Sequence, residues 1–137
     1  MKKFDRCPCR SKALYHKCCL PYHQGAAPEN ALALMRSRYS AYALGLIDYI
    51  IQTTHPDHPE FSSNEERRKS QIRLFCQQTM FDGVKILAFV DGEEEATVTF
   101  TAYLRQAEVD ASFTEKSFFA KKNGCWLYKS GELSNPD

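Results

Sequence analysis

The chain has 137 residues, with 18 Lys+Arg against 17 Asp+Glu and a formal net charge of +1. At 43% hydrophobic and 12% aromatic it can bury a sizeable core, which excludes an intrinsically disordered chain. No stretch approaches 18 consecutive apolar residues and Met1–Arg6 holds no apolar leader, so the expectation is a cytoplasmic protein without a membrane span.

The near-zero total hides an asymmetry. Residues 1–19 carry six basic groups (Lys2, Lys3, Arg6, Arg10, Lys12, Lys17) against Asp5 alone, while the remainder carries 12 basic and 16 acidic groups. The same basic segment holds Cys7, Cys9, Cys18 and Cys19, spaced Cys-x-Cys-x8-Cys-Cys. Adjacent cysteines bridge each other only with strain, and nothing points to an oxidising compartment. Four thiolates within thirteen residues can instead converge on one tetrahedral Zn2+ at about 2.3 Å each, the intervening eight residues letting the chain fold back. A closed four-cysteine set leaves no position for a reacting water, so the metal reads as structural. Such a segment is too small for a core of its own, and the metal would supply its folding energy. The other readings are four reduced thiols on a tail and a redox pair. The remaining cysteines, Cys76 and Cys125, sit among apolar neighbours and read as buried, inert thiols.

Leu20–Gly25 has turn chemistry and reads as a linker, which divides the chain into a knuckle at 1–22 and a larger domain at 26–137. Pro28-Glu29 opens a helix running to about Leu44, with Ala31, Leu32, Met35, Tyr39, Tyr42 and Leu46 on one stripe about 100° wide. Arg36 and Arg38 flank that stripe. Gly45 ends the helix, Asp48 caps a short second one that stops before Pro56, and Ser63-Asn64-Glu65-Glu66 opens a third reaching roughly Gln77. The periodicity then changes to two. Strands are expected at Val84–Val90, Ala96–Leu104, Phe113–Ala120 and Cys125–Lys129, with turns at Asp91-Gly92-Glu93 and Asn123-Gly124. Helices followed by an antiparallel meander give an α+β fold. A sheet wrapped on a long helix leaves a cavity at its open end.

Cys7-Pro8-Cys9 and Cys18-Cys19 resemble the SEC-C zinc motif, known from the tail of the SecA translocase motor. Leu34–Tyr42, Asp48-Tyr49-Ile50, Thr54-His55-Pro56, Glu115-x-Ser117-x-Phe119 and Asn123-Gly124-x-Trp126-x-Tyr128 resemble the YchJ-like family of bacterial proteins. That resemblance implies a central domain similar to nuclear transport factor 2 (cystatin-like): a cone of helices on a curved antiparallel four-stranded sheet. Family knuckles read Cys-Pro-Cys-Gly-Ser with another glycine close behind, whereas Arg10 and Lys12 stand in those places here. A positive φ at either position would strain the turn.

Three functional readings follow. In the first, the basic Zn2+ knuckle docks an acidic protein partner and the cone binds a ligand or another chain, without catalysis. In the second, the cone's cavity serves a small-molecule enzyme or sensor, with Tyr39, His55, Tyr103, Glu115, Trp126, Arg36 and Arg38 as pocket candidates. Glu115 shares a strand face with Phe113 and Phe119, so it is either an acid or base in the pocket or, the preferred reading, the partner of Arg36 or Arg38 in a buried bridge. His55, before Pro56, reads as a cap at a helix end. In the third and weakest, Tyr15, His16 and Tyr22 stack on single-stranded RNA beside Lys12 and Lys17. The acidic body and the absence of an extended basic stripe argue against nucleic acid.

Overall fold

A computed structural model describes residues 4–61 and 64–134. Its elements in chain order are a 3-10 turn at Tyr15–Lys17, then α1 Leu20–His23, α2 Ala31–Leu44, α3 Ile47–Gln52 and α4 Glu65–Gln78. The strands are β1 Thr79–Val90, β2 Glu95–Gln106, β3 Val109–Asp110, β4 Phe113–Lys122 and β5 Cys125–Ser134. All strand pairs are antiparallel in the order β1-β2-β4-β5, with β3 folded onto the end of β2. The sheet therefore has five strands rather than four. The extra pair is made by Ala107 and Glu108, both at positive φ, which close a two-residue turn between Gln106 and Val109.

Local chemistry sets most boundaries. Asn30 caps α2, its Oδ1 accepting from Ala33 N at 2.8 Å, and Gly45 closes it in the left-handed region at φ 71°. Asn64 caps α4 by accepting from Arg67 N, whereas Ser63 of the expected capping box lies outside the described residues. Asn123 and Gly124, at φ 54° and 79°, make the turn from β4 to β5. β1 begins five residues before the expected Val84, because α4 runs into it without a loop. Register shifts at Phe81/Gly83, Ile86/Ala88 and Phe118/Phe119 are bulges, the devices that bend a sheet into an open curve.

The core lies where α2 meets the concave face of the sheet. Ala96, Val98, Phe100, Ala102 and Leu104 point inward from β2 with period two and meet Ala31, Leu34, Met35 and Tyr39. Tyr103 falls on the opposite parity and is 43% exposed on the outer face, so it is not a pocket residue. Trp126 is also displaced from the pocket: it packs within the core, with Lys121 Nζ 5.2 Å above its ring. Cys125 is exposed and Cys76 half-buried, contrary to the expected burial. Cys125 begins β5 directly after the exposed Asn123-Gly124 turn, and Cys76 sits on α4, of which only Arg68 is buried among the described residues.

α2 is buried beyond its apolar stripe. Ser37, Arg38, Ser40 and Ala41 are enclosed too: the cysteine knuckle covers Ser40, Tyr49 of α3 bonds the Ser37 hydroxyl, and Ile50 and Thr53 hold Arg38. Ser40 Oγ lies 3.4 Å from Cys7 Sγ and donates to Cys19 Sγ at 3.3 Å, and Arg36 Nη1 donates to Cys9 O at 2.8 Å. The expected linker is the single turn α1. Its His23 ring is held between the Tyr15 hydroxyl at 2.6 Å and Ser37 O at 2.8 Å. Knuckle and helix thus share one buried seam.

Candidate functional site

Two constellations stand out: the cysteine knuckle and a cavity on the other side of α2. In the knuckle, residues 5–15 double back, with Arg6 bridged to Leu14 and Cys7 N donating to Ala13 O at 2.9 Å. The hairpin and the following turn bring the sulfurs of Cys7, Cys9, Cys18 and Cys19 within 4.8 Å of one another. Sulfurs at the corners of a tetrahedron with bonds near 2.3 Å stand about 3.8 Å apart. Cys9–Cys18 at 3.5 Å and Cys18–Cys19 at 3.9 Å fit that figure, so the donor set suits one tetrahedral metal ion. Hydroxyls complete the surroundings: Ser11 Oγ is 3.0 Å from Cys18 Sγ, and Ser40 serves Cys7 and Cys19. Hydrogen bonds from Cys19 and Cys7 hold Cys9 well below the usual thiol range, whereas burial pushes Cys18 up to about 11.

Arg10 and Lys12 occupy positive φ, at 63° and 75°, where the resemblance placed glycines. A side chain in the left-handed region costs about 1 kcal/mol or more per residue. Arg10 offsets this by donating from Nη2 to Asp82 O at 2.7 Å, at the first bulge of β1. Among the described residues Lys12 is engaged through its backbone alone, its carbonyl accepting from Arg6 at 2.6 Å. Lys12→Gly is accordingly expected to tighten metal binding about fivefold, the equivalent of roughly 1 kcal/mol. Arg10→Gly should gain nothing, because it forfeits the strut to β1. Competition with a chromogenic chelator measures both, and equal gains for the two variants would refute the distinction.

The cavity encloses about 390 Å³ between α2, α3, α4 and the concave face of the sheet. Its wall is largely apolar and aromatic, including Tyr42, Phe75, Phe81, Phe113 and Phe119. α4 supplies Arg68, Gln71, Ile72 and Phe75 at helical spacing, one face lining the space. Of the pocket candidates, Tyr39, Arg38 and Glu115 line it. The Tyr39 hydroxyl is buried near the Gly83 backbone without a well-aligned hydrogen bond, and burial pushes it up to about 12. Arg36 points away, to the knuckle. His55 also stays outside the lining: its backbone N donates to Tyr128 O, and its Nδ1 accepts from Asp57 N, fixing the turn that follows α3.

The expected Glu115–arginine bridge is not formed. Among the described residues no Lys, Arg or His nitrogen lies within 4 Å of the Glu115 carboxylate. Its Oε2 accepts from the Ser117 hydroxyl and, at 3.0 Å, from the Tyr128 hydroxyl. Burial and then the adjacent Glu115 charge push Tyr128 well above the ordinary tyrosine range, so it stays a donor. Arg38 is 8% exposed and donates from Nη1 to Ile50 O, Thr53 Oγ1 and Thr54 Oγ1 at 3.0, 2.7 and 3.4 Å. Its guanidinium stacks 4.7 Å from the centroid of the Tyr128 ring. The tyrosine stands between cation and anion, which is why they do not meet. His58 lies beside the same ring, at 5.5 Å, and burial lowers its pKa, leaving it uncharged at neutral pH.

Sequence reasoning missed Tyr128, Ser117, His58 and Gly131 as parts of this site. Ser117 was within reach, since 113, 115, 117 and 119 share one parity. Tyr128 depends on the pairing Phe119↔Tyr128 across a bulge, and Gly131 on what leans over it: a Cβ there would come within 2.7 Å of both Glu115 Oε2 and the Tyr128 hydroxyl.

Residues 30–131 match the family described as YchJ, middle NTF2-like domain. A UPF0225 protein of Bordetella pertussis is 37% identical over 132 residues, covering 93% of this chain and 92% of its own. The solution structure of a SEC-C motif containing protein from Rhodopseudomonas palustris has a TM-score of 0.79 at 33% identity, covering 96% of this chain and 99% of that one. The crystal structure of a SEC-C motif containing protein from Psychrobacter arcticus has a TM-score of 0.79 at 26% identity, covering 98% and 86%. With the NTF2-like fold, the N-terminal cysteine cluster and these relatives, the chain belongs to the YchJ-like family.

Proposed function

We propose that this chain is a small-molecule-binding protein whose ligand occupies the cone's cavity, and that the knuckle is a structural staple holding Zn2+. The observation that carries the cavity reading is Glu115: a carboxylate in an aromatic-lined space, oriented by two hydroxyls and without a cationic partner among the described residues. A structural carboxylate would be paired, whereas a ligand-binding one keeps an oxygen for its guest. The same carboxylate could act as an acid or base on a bound molecule. Zn2+ is supported by an all-thiolate, closed set of tetrahedral size. Reduced cysteines of this kind belong in a reducing compartment such as the cytoplasm, and no helix of the described residues is long and apolar enough to cross a membrane.

The adaptor reading has less support. The buried side of the knuckle is already occupied by α2, and of its exposed basic groups Arg10 is tied to Asp82 and Arg6 to Lys12. RNA stacking has less still, since Tyr15 is 6% exposed and bonded to His23.

The test uses 1-aminoanthracene, a neutral fluorophore that brightens in apolar surroundings, added to the full chain. Saturable enhancement at one site is expected. Ala102→Phe, whose ring would fill the cavity, should abolish it while the far-ultraviolet circular dichroism stays native. Absence of saturable binding, or binding unchanged in a folded Ala102→Phe variant, would remove the cavity reading.

A further inference from the structure

We propose that the cavity is built for a small zwitterion with an apolar body, its anionic group on Arg38 and its ammonium on Glu115. This deepens the cavity reading above and rests on it. Burying a charge is costly unless an opposite charge or full hydrogen bonding compensates it. The cavity wall holds two charges of opposite sign, a buried Arg38 and a half-buried Glu115, and keeps them apart. Every hydrogen bond of the Arg38 guanidinium among the described residues leaves from Nη1 and reaches a neutral oxygen, while Nε and Nη2 engage none. Glu115 accepts both of its hydroxyl partners on Oε2, while Oε1 accepts none among the described residues. Each ion therefore has its orientation fixed on one side and a free edge on the other.

Tyr128 is the spacer. Its ring carries the guanidinium on one face and its hydroxyl holds the carboxylate at the tip, so the two ions line one cavity a tyrosine side chain apart. The other charged groups in the wall, Arg68 and Glu60, are one of each sign, and they leave the balance unchanged. A ligand with a single charge meets one attraction and one repulsion here, whereas a zwitterion meets two attractions. Arginine suits the anionic end, because its planar fork matches a carboxylate in two parallel hydrogen bonds. The aromatic rings of the wall suit the apolar body. The volume falls within the range of small-molecule sites.

The experiment is displacement of 1-aminoanthracene from the full chain by four compounds that share one phenyl ring. Phenylalanine and 4-amino-3-phenylbutanoate are zwitterions of shorter and longer charge spacing. Phenethylamine is the cation alone and 3-phenylpropanoate the anion alone. At least one zwitterion is expected to bind about tenfold more tightly than either single ion. Arg38→Met should erase the advantage over phenethylamine, Glu115→Gln the advantage over 3-phenylpropanoate, and Arg38→Lys should restore part of the first. Arg38→Met is expected to fold, because Ile50 O still accepts from the Thr53 and Thr54 hydroxyls. Should a variant fail to fold, the order of the four compounds on the wild-type chain decides alone. The proposal is overturned if the single ions equal or exceed both zwitterions, if neither zwitterion displaces the dye, or if folded variants keep the wild-type order. Each of these outcomes leaves the cavity reading standing, because that reading depends on the dye.

Discussion

Stripping the metal from the full chain is expected to lower its main unfolding transition by about 10 °C. The chain as purified should carry one equivalent of Zn2+ by elemental analysis, and calorimetry before and after chelation supplies the comparison. A sequence division at 1–22 and 26–137 suggests that the transition would barely move, since the knuckle brings its own metal and a linker follows it. The packing argues otherwise. Cys7, Cys9, Tyr15 and Cys19 form a buried cluster that reaches Leu44 of α2. Without metal to order it, that cluster opens. The fully buried Ser40 hydroxyl then loses both sulfur partners, and Arg36 loses Cys9 O. Each of these hydrogen bonds contributes about 0.5–1.5 kcal/mol, and the apolar surface that the opening exposes adds to the loss. A total near 3 kcal/mol corresponds to roughly 10 °C for a chain of this size. A main transition shifted by less than about 2 °C would show that α2 holds its place unaided.

The second large effect is expected from the smallest substitution. Gly131→Ala should destabilise the chain by about 1–3 kcal/mol, the usual cost of inserting a methyl group into a filled space. Gly131 is not at positive φ, so the effect is one of volume and not of backbone conformation. Its Cβ would press on the Glu115 carboxylate and lie 2.7 Å from the Tyr128 hydroxyl. Glu115 must then swing into the cavity and release Tyr128, or β5 must shift outward. Chemical denaturation measures the loss, and the double variant Gly131→Ala, Glu115→Ala should recover part of it, because the shortest contact is with Glu115 while that with the Tyr128 hydroxyl stays. Equal losses with and without the Glu115 side chain would place the strain elsewhere.

Much of this architecture was legible in residue order, because local rules act over a few neighbours. The change of hydrophobic period from helical spacing to two, between about Gln77 and Val84, marks where helices give way to sheet, although it places the first strand five residues late. Caps and turn residues such as Gly45 and Asn123-Gly124 mark the ends of elements. The alternation along β2 settles which residues face the core, and the thirteen-residue span of Cys7, Cys9, Cys18 and Cys19 points to one metal-sized cluster before any coordinates are known. The positive φ at Arg10 and Lys12 is raised only by the family resemblance, which has glycines in those places, and the structure supplies it.

The partners of the charged groups were decided elsewhere. Parity puts Glu115 inward, and helical spacing puts Arg38 beside the apolar stripe, which makes an ion pair look natural. Their separation depends on Tyr128, which arrives on β5 through a bulged register, and on Gly131, which leaves room for the carboxylate. The Thr53 and Thr54 hydroxyls take up the guanidinium because Tyr128 N donates to Thr53 O and His55 N to Tyr128 O, binding that segment to the sheet edge. The second buried face of α2 has the same origin, since Ser37 and Ser40 look like solvent positions until Tyr49 of α3 meets the first and the knuckle closes over the second. One-dimensional patterns report which way a side chain points, because pleat and helix fix that locally. What it meets there is set by chain segments tens of residues away, and only the tertiary structure brings them together.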